Sequence, residues 1–284
     1  MTRPVPARTW IGLLIIVISQ AATLARLEPF YHWHTPVAWT GYILCVDGLV
    51  WKRRGHSWLS NSHAEFFFLA FISVPLWIVF ELYNKYAIHN WHYEGLPESI
   101  PLRVLGYAWA FATILPAIFE TGDLVSSLRD RRAPAERAAS HPRQAPGMLG
   151  WIVVAAGGAM IAVPWVYPSP YLAAPVVLGF ALLLDPLNAL TGQESILGDA
   201  RQGRYGRLIN LLIAGLVCGL LWELWNFWAG AKWKYTVPIL PELRLFEMPL
   251  LGYGGFPAFA VECFAMYIAI RALIWRAGTR PVSV

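Results

Sequence analysis

The sequence predicts an all-α membrane protein whose eight transmembrane helices form two parallel four-helix repeats. Composition is the first observation, because 57% of the 284 residues are hydrophobic and 14% are charged, whereas soluble domains carry about 25% charged residues. The second is that apolar runs of about 20 residues, the length that crosses a bilayer, recur along the chain. The third is a pattern of residues that occurs once in each half. Disorder is excluded because 14% of the residues are aromatic.

Eight apolar segments are long enough to span a membrane. Most of the 22 basic residues lie on one side when both termini are placed in the cytoplasm, as the positive-inside rule requires. We therefore predict an integral membrane protein with cytoplasmic N and C termini, and its compact size suggests a bacterial inner (plasma) membrane. The predicted spans are residues 9–26, 36–51, 64–85, 102–124, 148–167, 171–190, 206–229 and 247–274.

The halves of the chain resemble each other at a nearly constant spacing. Six of the 13 residues from Glu81 to Tyr93, among them Asn84 and Trp91, have a residue of the same type 142 positions later, and so does Glu120. An even number of spans in each copy makes the copies parallel, related by an axis along the membrane normal. This predicts a first repeat over 1–124, a basic cytoplasmic linker over 125–147 and a second repeat over 148–284.

Acidic side chains inside apolar helices are costly, which makes them functional candidates. A carboxylic acid kept neutral by an apolar pocket is suited to general acid catalysis. The asparagines three residues after two of the glutamates lie on the same helical face and are placed to bond them. We therefore predict catalytic roles for Glu81, Glu120, Glu223, Glu262, Asn84 and Asn226, and substrate-binding roles for Asp47, Asp185, Trp91, Tyr93, Trp233 and Tyr235.

Structural roles compete with each of these assignments. The Glu–Asn pairs are also typical of residues that lock helices together by hydrogen bonds, and Asp185 belongs to a sequence that is common in turns. The tryptophans and tyrosines are also typical of an interfacial aromatic belt. The three cysteines show no metal-ligand spacing, and the histidines show no helical i, i+4 pair. We predict no metal and no cofactor.

The order of these residues resembles the small integral-membrane lycopene cyclases, which are also built from duplicated helical units. The resemblance rests on Glu81, Trp91, Tyr93, Pro116 and Glu120. It rests on the matching positions of the second half as well, which are Glu223, Trp233, Tyr235, Pro257 and Glu262. The chain departs from that family in having a single Glu after each proline, in beginning each motif with Glu instead of Asp, and in having four predicted helices per unit.

The resemblance implies redox-neutral cyclisation, isomerisation or hydration of an isoprenoid or another apolar lipid by buried carboxylic acids. The alternatives are a proton-coupled transporter and a lipid-binding scaffold, each with a pseudo-symmetric cavity lined by carboxylates. The expected partners are a membrane lipid or isoprenoid substrate, and further copies of the chain or other membrane subunits. No nucleic-acid partner is expected, because the basic residues lie in short loops between apolar segments.

Overall fold

A computed structural model describes residues 3–129 and 143–274, which contain eleven α-helices and four short strands. The first part consists of α1 (Ala7–Leu24), α2 (Phe30–Arg54), α3 (Trp58–Asn61), α4 (His63–Tyr83), β1 (Trp91–Glu94), α5 (Ile100–Ala112) and α6 (Ile114–Arg129). The second part consists of α7 (Met148–Val166), α8 (Ala173–Thr191), α9 (Ile196–Arg201), α10 (Gly206–Trp228), β2 (Lys232–Tyr235), β3 (Arg244–Leu245), β4 (Met248–Pro249) and α11 (Gly255–Ile274).

Seven helical segments of the described chain are long and apolar enough to cross a membrane. The prediction of a mainly helical integral membrane protein is thereby confirmed, whereas the predicted number of eight spans is not. The segment missing from the seven is α2, which is 25 residues long. Its apolar sequence is diluted by polar groups, among them His32, His34 and Asp47, and it ends on the basic residues 52–54.

Two predicted spans are less regular than expected. The fourth, 102–124, is divided between α5 and α6 at Thr113. The eighth, 247–274, becomes α-helical only at Gly255, after β4 and a 3-10 turn over Leu250–Gly254. The predicted linker begins later than residue 125, because α6 continues to Arg129. The rest of the linker up to residue 142 and the predicted cytoplasmic C terminus, residues 275–284, lie outside the described residues.

Glycines allow the closest helix contacts in each half. The backbones of α1 and α2 meet at Gly12 and Gly41, where a Cβ atom on either glycine would collide with the carbonyl oxygen of the other. The backbones of α7 and α8 meet in the same way at Gly157 and Gly179. Small residues at such crossings let membrane helices pack by van der Waals contact of their backbones.

A serine from a neighbouring helix divides α5 from α6. The hydroxyl group of Ser73, on α4, donates a hydrogen bond of 2.5 Å to the carbonyl oxygen of Phe111. The same hydroxyl accepts a bond of 3.1 Å from the amide of Leu115. These two backbone groups would bond each other in a continuous helix, so the serine is inserted into the helical ladder. Pro116 lacks an amide hydrogen and removes the next bond of the ladder.

Two small sheets lie at one end of the bundle, which we call the sheet end. β1 pairs with β2 in antiparallel fashion, with Trp91 opposite Tyr235 and Tyr93 opposite Trp233. β3 and β4 form a hairpin beside them. These strands were not predicted, since segments of two to four residues are too short for an alternating pattern to be recognised.

A chain of ion pairs joins the two parts at the opposite end of the bundle. Arg271, near the end of α11, bonds Glu65 on α4 at 3.0 Å and Glu194 at 2.7 Å. Arg207, at the start of α10, bonds the other oxygen of Glu194 at 2.7 Å. The side chains of Arg271, Glu194 and Arg207 are each only 4% exposed.

Candidate functional site

The carboxyl group of Glu81 lies near the end of α4 and is held by aromatic donors. Its Oε1 atom accepts hydrogen bonds from the indole of Trp77 at 2.8 Å and from the indole of Trp91 at 3.3 Å. The phenol of Tyr93 donates a third bond, of 2.5 Å. Glu81 forms no ion pair with a described Lys, Arg or His, and it is partly exposed. We call Glu81, Trp77, Trp91 and Tyr93 the Glu81 cluster.

The corresponding group in the second half is Glu223, near the end of α10. Its Oε1 atom accepts bonds from the indole of Trp233 at 3.3 Å and from the phenol of Tyr235 at 2.9 Å. Its Oε2 atom is buried and has no hydrogen-bond partner among the described residues. We call Glu223, Trp233 and Tyr235 the Glu223 cluster.

The two asparagines bind backbone and not the carboxyl groups. The amide nitrogen of Asn84 donates to the carbonyl oxygen of Trp91, and its oxygen accepts from the amides of Asn90 and Trp91. Asn226 makes the corresponding bonds to the carbonyl oxygen and the amide of Trp233. Each asparagine therefore ties a strand to the end of the preceding helix and sets the position of the indole that reaches the glutamate.

The antiparallel pairing of β1 with β2 places the two clusters side by side at the sheet end. Burial, and then the charge of Glu81, raises the pKa of the Tyr93 phenol well above its usual value. Burial and Glu223 raise the pKa of Tyr235 in the same direction. Both phenols therefore keep their protons at neutral pH and act as hydrogen-bond donors to the glutamates.

Aromatic rings surround Glu81 on the side of α5. The ring of Trp77 lies 6.1 Å from that of Trp91 and 6.0 Å from that of Phe111, measured between centroids. Tyr107 lies 5.3 Å from Tyr93 and stacks on Phe111 at 5.4 Å. These contacts make an aromatic wall between α4, β1 and α5, and its members Tyr107 and Phe111 belong to a helix that has no buried residue.

Trp77, Tyr107 and Phe111 were not among the predicted site residues. The spacing of Trp77 and Glu81, four positions on one helix, was a usable signal, since such residues face each other. The repeat concealed this signal because the position 142 residues after Trp77 is Gly219, which has no side chain to donate a bond. Tyr107 and Phe111 reach the site only through the course of α5, which no local pattern indicates.

The deep glutamates lie apart from these clusters. Glu120, on α6, is 1% exposed, and neither of its oxygen atoms has a hydrogen-bond partner among the described residues. Asp47 and Asp123 are near enough for their charges to act on it. Glu262, on α11, accepts one bond of 3.2 Å from the backbone amide of Phe180. Neither deep glutamate bonds a member of the Glu81 or Glu223 cluster.

The two aspartates predicted to bind substrate bond the starts of the short helices. Asp47 accepts bonds from the hydroxyl of Ser57 at 3.1 Å and from the amide of Leu59 at 2.9 Å. Asp185 accepts from the amides of Ile196 and Leu197 at 2.7 and 2.8 Å. Carboxylates at these positions satisfy amides that a helix leaves free at its N terminus, so the geometry favours the structural interpretation for both aspartates.

The described residues form no metal site, and the chain matches no known protein. Within residues 3–129 and 143–274, no group of three or more His, Cys, Asp or Glu residues is placed to hold a metal ion. Comparison of the chain with protein-family models, with curated proteins and with solved structures gives no match. The similarity to membrane lycopene cyclases therefore stays a prediction from a few motif positions.

Proposed function

We propose that the chain is an integral membrane enzyme that carries out a redox-neutral cyclisation, isomerisation or hydration of an isoprenoid or another apolar lipid. The observation that supports this proposal most is the Glu81 cluster. It is a partly exposed carboxyl group that is bonded by aromatic donors, has no basic partner in the described chain, and lies beside an aromatic wall.

In this proposal Glu81 is the general acid. Its proton passes to one carbon of a double bond, the neighbouring carbon becomes a cation, and Glu81 is left as a carboxylate. Hydrogen bonds from Trp77, Trp91 and Tyr93 to its Oε1 atom stabilise the charge that develops there. The faces of the surrounding rings stabilise the cation until a second double bond closes a ring on it or a water molecule adds. The cation that remains then loses a proton, which returns to the carboxylate.

We also propose the finer description of the fold, two four-helix units related by a two-fold axis along the membrane normal. The register of β1 and β2 supports it. Trp91 lies opposite Tyr235 and Tyr93 lies opposite Trp233, and the spacing of 142 residues converts each of these pairs into the other. In this arrangement α2 also crosses the membrane and brings the number of spans to eight. It is stabilised by packing on α1 and α6, and both termini are cytoplasmic.

A proton-coupled transporter is the second candidate, and Glu120 is the observation in its favour. A carboxyl group with no hydrogen-bond partner inside a spanning segment is costly to maintain for packing alone. Its neighbour Asp47 is paired with Arg8, which is 25% exposed and lies at the end of the bundle opposite the sheets. Such a chain of ionisable groups would connect a buried proton site with one surface of the membrane.

Lipid analysis by mass spectrometry tests the enzyme. The chain is produced in cells that supply linear carotenoids or prenyl lipids, and extracts are compared with those of cells that carry Glu81→Gln. A product of unchanged mass and shifted retention indicates cyclisation or isomerisation, and a gain of one water indicates hydration. The exposed Glu94→Gln is the matched control and should keep the product. Identical lipid profiles for wild type and Glu81→Gln at equal expression would contradict the proposal.

A further inference from the structure

A small cavity lies at the junction of the two parts of the molecule, next to the Glu81 cluster. It is lined by one face of α4 (Ser73, Leu76 and Trp77) together with Leu115 of α6 and Cys263 of α11. Its volume is about 10 Å³, which is close to the least space that one water molecule needs. Trp77 belongs to both the cavity and the Glu81 cluster, so the cavity and the carboxyl group of Glu81 are in contact with the same side chain.

From this geometry we infer that the cavity is the closed form of a binding site for a hydrocarbon chain, which enters from the bilayer between α4 and α5. The inference rests on the proposed function, because it places the apolar part of the substrate beside Glu81. Apart from the Ser73 hydroxyl and the Trp77 indole, which are both hydrogen-bonded, the lining side chains are apolar. A hydrocarbon chain is the ligand that such a lining accepts without leaving a polar group unpaired.

In this proposal α5 closes the entrance, and few of its side chains are packed against the rest of the protein. No residue of α5 is buried, and Ile100, Val104 and Leu105 are between 56% and 70% exposed. Side chains of α5 contact the rest of the protein through the aromatic wall and through Trp109, which bonds Thr40 of α2 at 2.9 Å and lies 5.8 Å from the ring of Trp33. Arg103 also bonds the carbonyl oxygen of Pro97. By contrast, most of α6 is buried. An element with few buried contacts can move while its neighbour stays in place.

The bond of Ser73 to the break supplies a pivot for this movement. Its hydroxyl satisfies both backbone groups at the junction of α5 and α6, so α5 can change direction there without leaving a buried carbonyl or amide unpaired. In a Ser73→Ala variant the amide of Leu115 is free to bond the carbonyl of Phe111 directly. The junction then regains one bond of the ladder, although not the bond that Pro116 removes, and we expect it to be more rigid. Ser73 is thus a positioning residue, since it acts on the site through α5.

Photolabelling tests the binding site independently of turnover. The probe is a prenyl alcohol that carries a diazirine, added to the full chain in phosphatidylcholine vesicles, and labelled peptides are identified by mass spectrometry. We expect labelling of the α11 peptide that contains Cys263 and Met266, at least threefold reduced by excess unlabelled geranylgeraniol. Labelling confined to exposed residues such as Phe71 and Leu105, or labelling of α11 that the competitor does not reduce, would overturn the inference.

Two variants test the pivot. Ser73→Ala should slow hydrogen exchange in α5 and reduce α11 labelling at least threefold. Thr40→Val removes the bond to Trp109 but leaves the junction of α5 and α6 intact. It should change neither the rate of hydrogen exchange in α5 nor the labelling of α11. Unchanged exchange and labelling in Ser73→Ala would refute the role of Ser73. Glu81→Gln should retain labelling. Competed α11 labelling with no lipid product therefore refutes the enzyme alone, and a product without α11 labelling refutes this inference alone.

Discussion

The Glu81 and Glu223 clusters contain the same glutamate, tryptophan and tyrosine, and yet their surroundings differ. Glu81 is partly exposed, accepts a third bond from Trp77 and lies beside α5, a helix with no buried residue. Glu223 is fully buried, and Gly219 occupies the place of the third donor and packs on the ring of Phe256. The segment before α11, where α5 would have its counterpart, is a short hairpin and a 3-10 turn. In the enzyme that we propose, this difference gives the reactive role to Glu81 and a structural role to Glu223.

The largest expected effect comes from removing the acidic proton of each cluster in turn. Glu81→Gln should lower turnover by about 10²- to 10⁴-fold, the usual contribution of a general acid. Glu223→Gln should lower it by less than about tenfold, because the amide keeps the size and the hydrogen-bonding capacity of the side chain. Rates of product formation in vesicles, normalised to folded protein, give both values. Equal losses would mean that the two halves share one site.

The two halves also differ at the end of the bundle opposite the sheets. Arg271 and Arg129 end their last helices 142 positions apart, but Arg271 bonds the carboxylates of Glu65 and Glu194, whereas Arg129 bonds the uncharged Asn210. Breaking a buried ion pair leaves unpaired charge and costs about 3–5 kcal/mol. Arg271→Gln should therefore lower the free energy of unfolding by about that amount.

Arg129→Gln is the matched control for this change and should cost about 1 kcal/mol at most, because the bonds that Arg129 makes to Gly206 and Asn210 come from an exposed side chain. Unfolding in mixed micelles measures both losses. If the two variants are equally stable, the ion-pair chain does not hold the two parts together, and the halves are more alike at this end than their contacts indicate.

The two asparagines also differ in the number of hydrogen bonds that they make. Asn84 makes three hydrogen bonds to the backbone and Asn226 makes two. Replacing either with Ala leaves buried backbone groups unpaired, at about 1–3 kcal/mol per group, so Asn84→Ala should be the less stable variant. It should also reduce turnover, because Trp91 and Tyr93 lose their positions at Glu81. Asn226→Ala should reduce the thermal midpoint with little effect on turnover. A larger loss of turnover in Asn226→Ala than in Asn84→Ala would contradict our assignment of the reactive role to Glu81.

The sequence predicted part of this site well and part of it poorly. The helices and the four residues of each repeated motif were recognisable, since apolar length and a long-range repeat are both visible in one dimension. Because all four glutamates recur in the repeat, the sequence made Glu120 and Glu262 equal candidates with Glu81 and Glu223. Only the folded chain shows that the aromatic donors reach Glu81 and Glu223. The Ser73 insertion and the aromatic wall depend on where α5 passes α4, a tertiary contact without a local signal. The short strands were missed because their pairing is formed between the halves.

The smallest expected effect lies in the ion pairs of the strands. Lys234 pairs with Glu94 across β1 and β2 at 2.9 Å, with the side chains 37% and 45% exposed, whereas Lys232 pairs with Glu247 at 2.8 Å and is less exposed. The hydrogen bond from Lys234 lowers the pKa of Glu94, and the bond to Glu94 raises the pKa of Lys234. The contribution of the first pair is therefore constant near neutral pH. It is lost when the pH falls through the lowered pKa of Glu94 or rises through the raised pKa of Lys234.

Lys234→Met should barely change the thermal midpoint, and 1 M salt should remove what difference there is. Lys232→Met should lower the midpoint more and resist salt, because its pair is better shielded from water. A larger effect at Lys234 would mean that the pair between the halves contributes more to the stability of the sheet end than the pair within the second half.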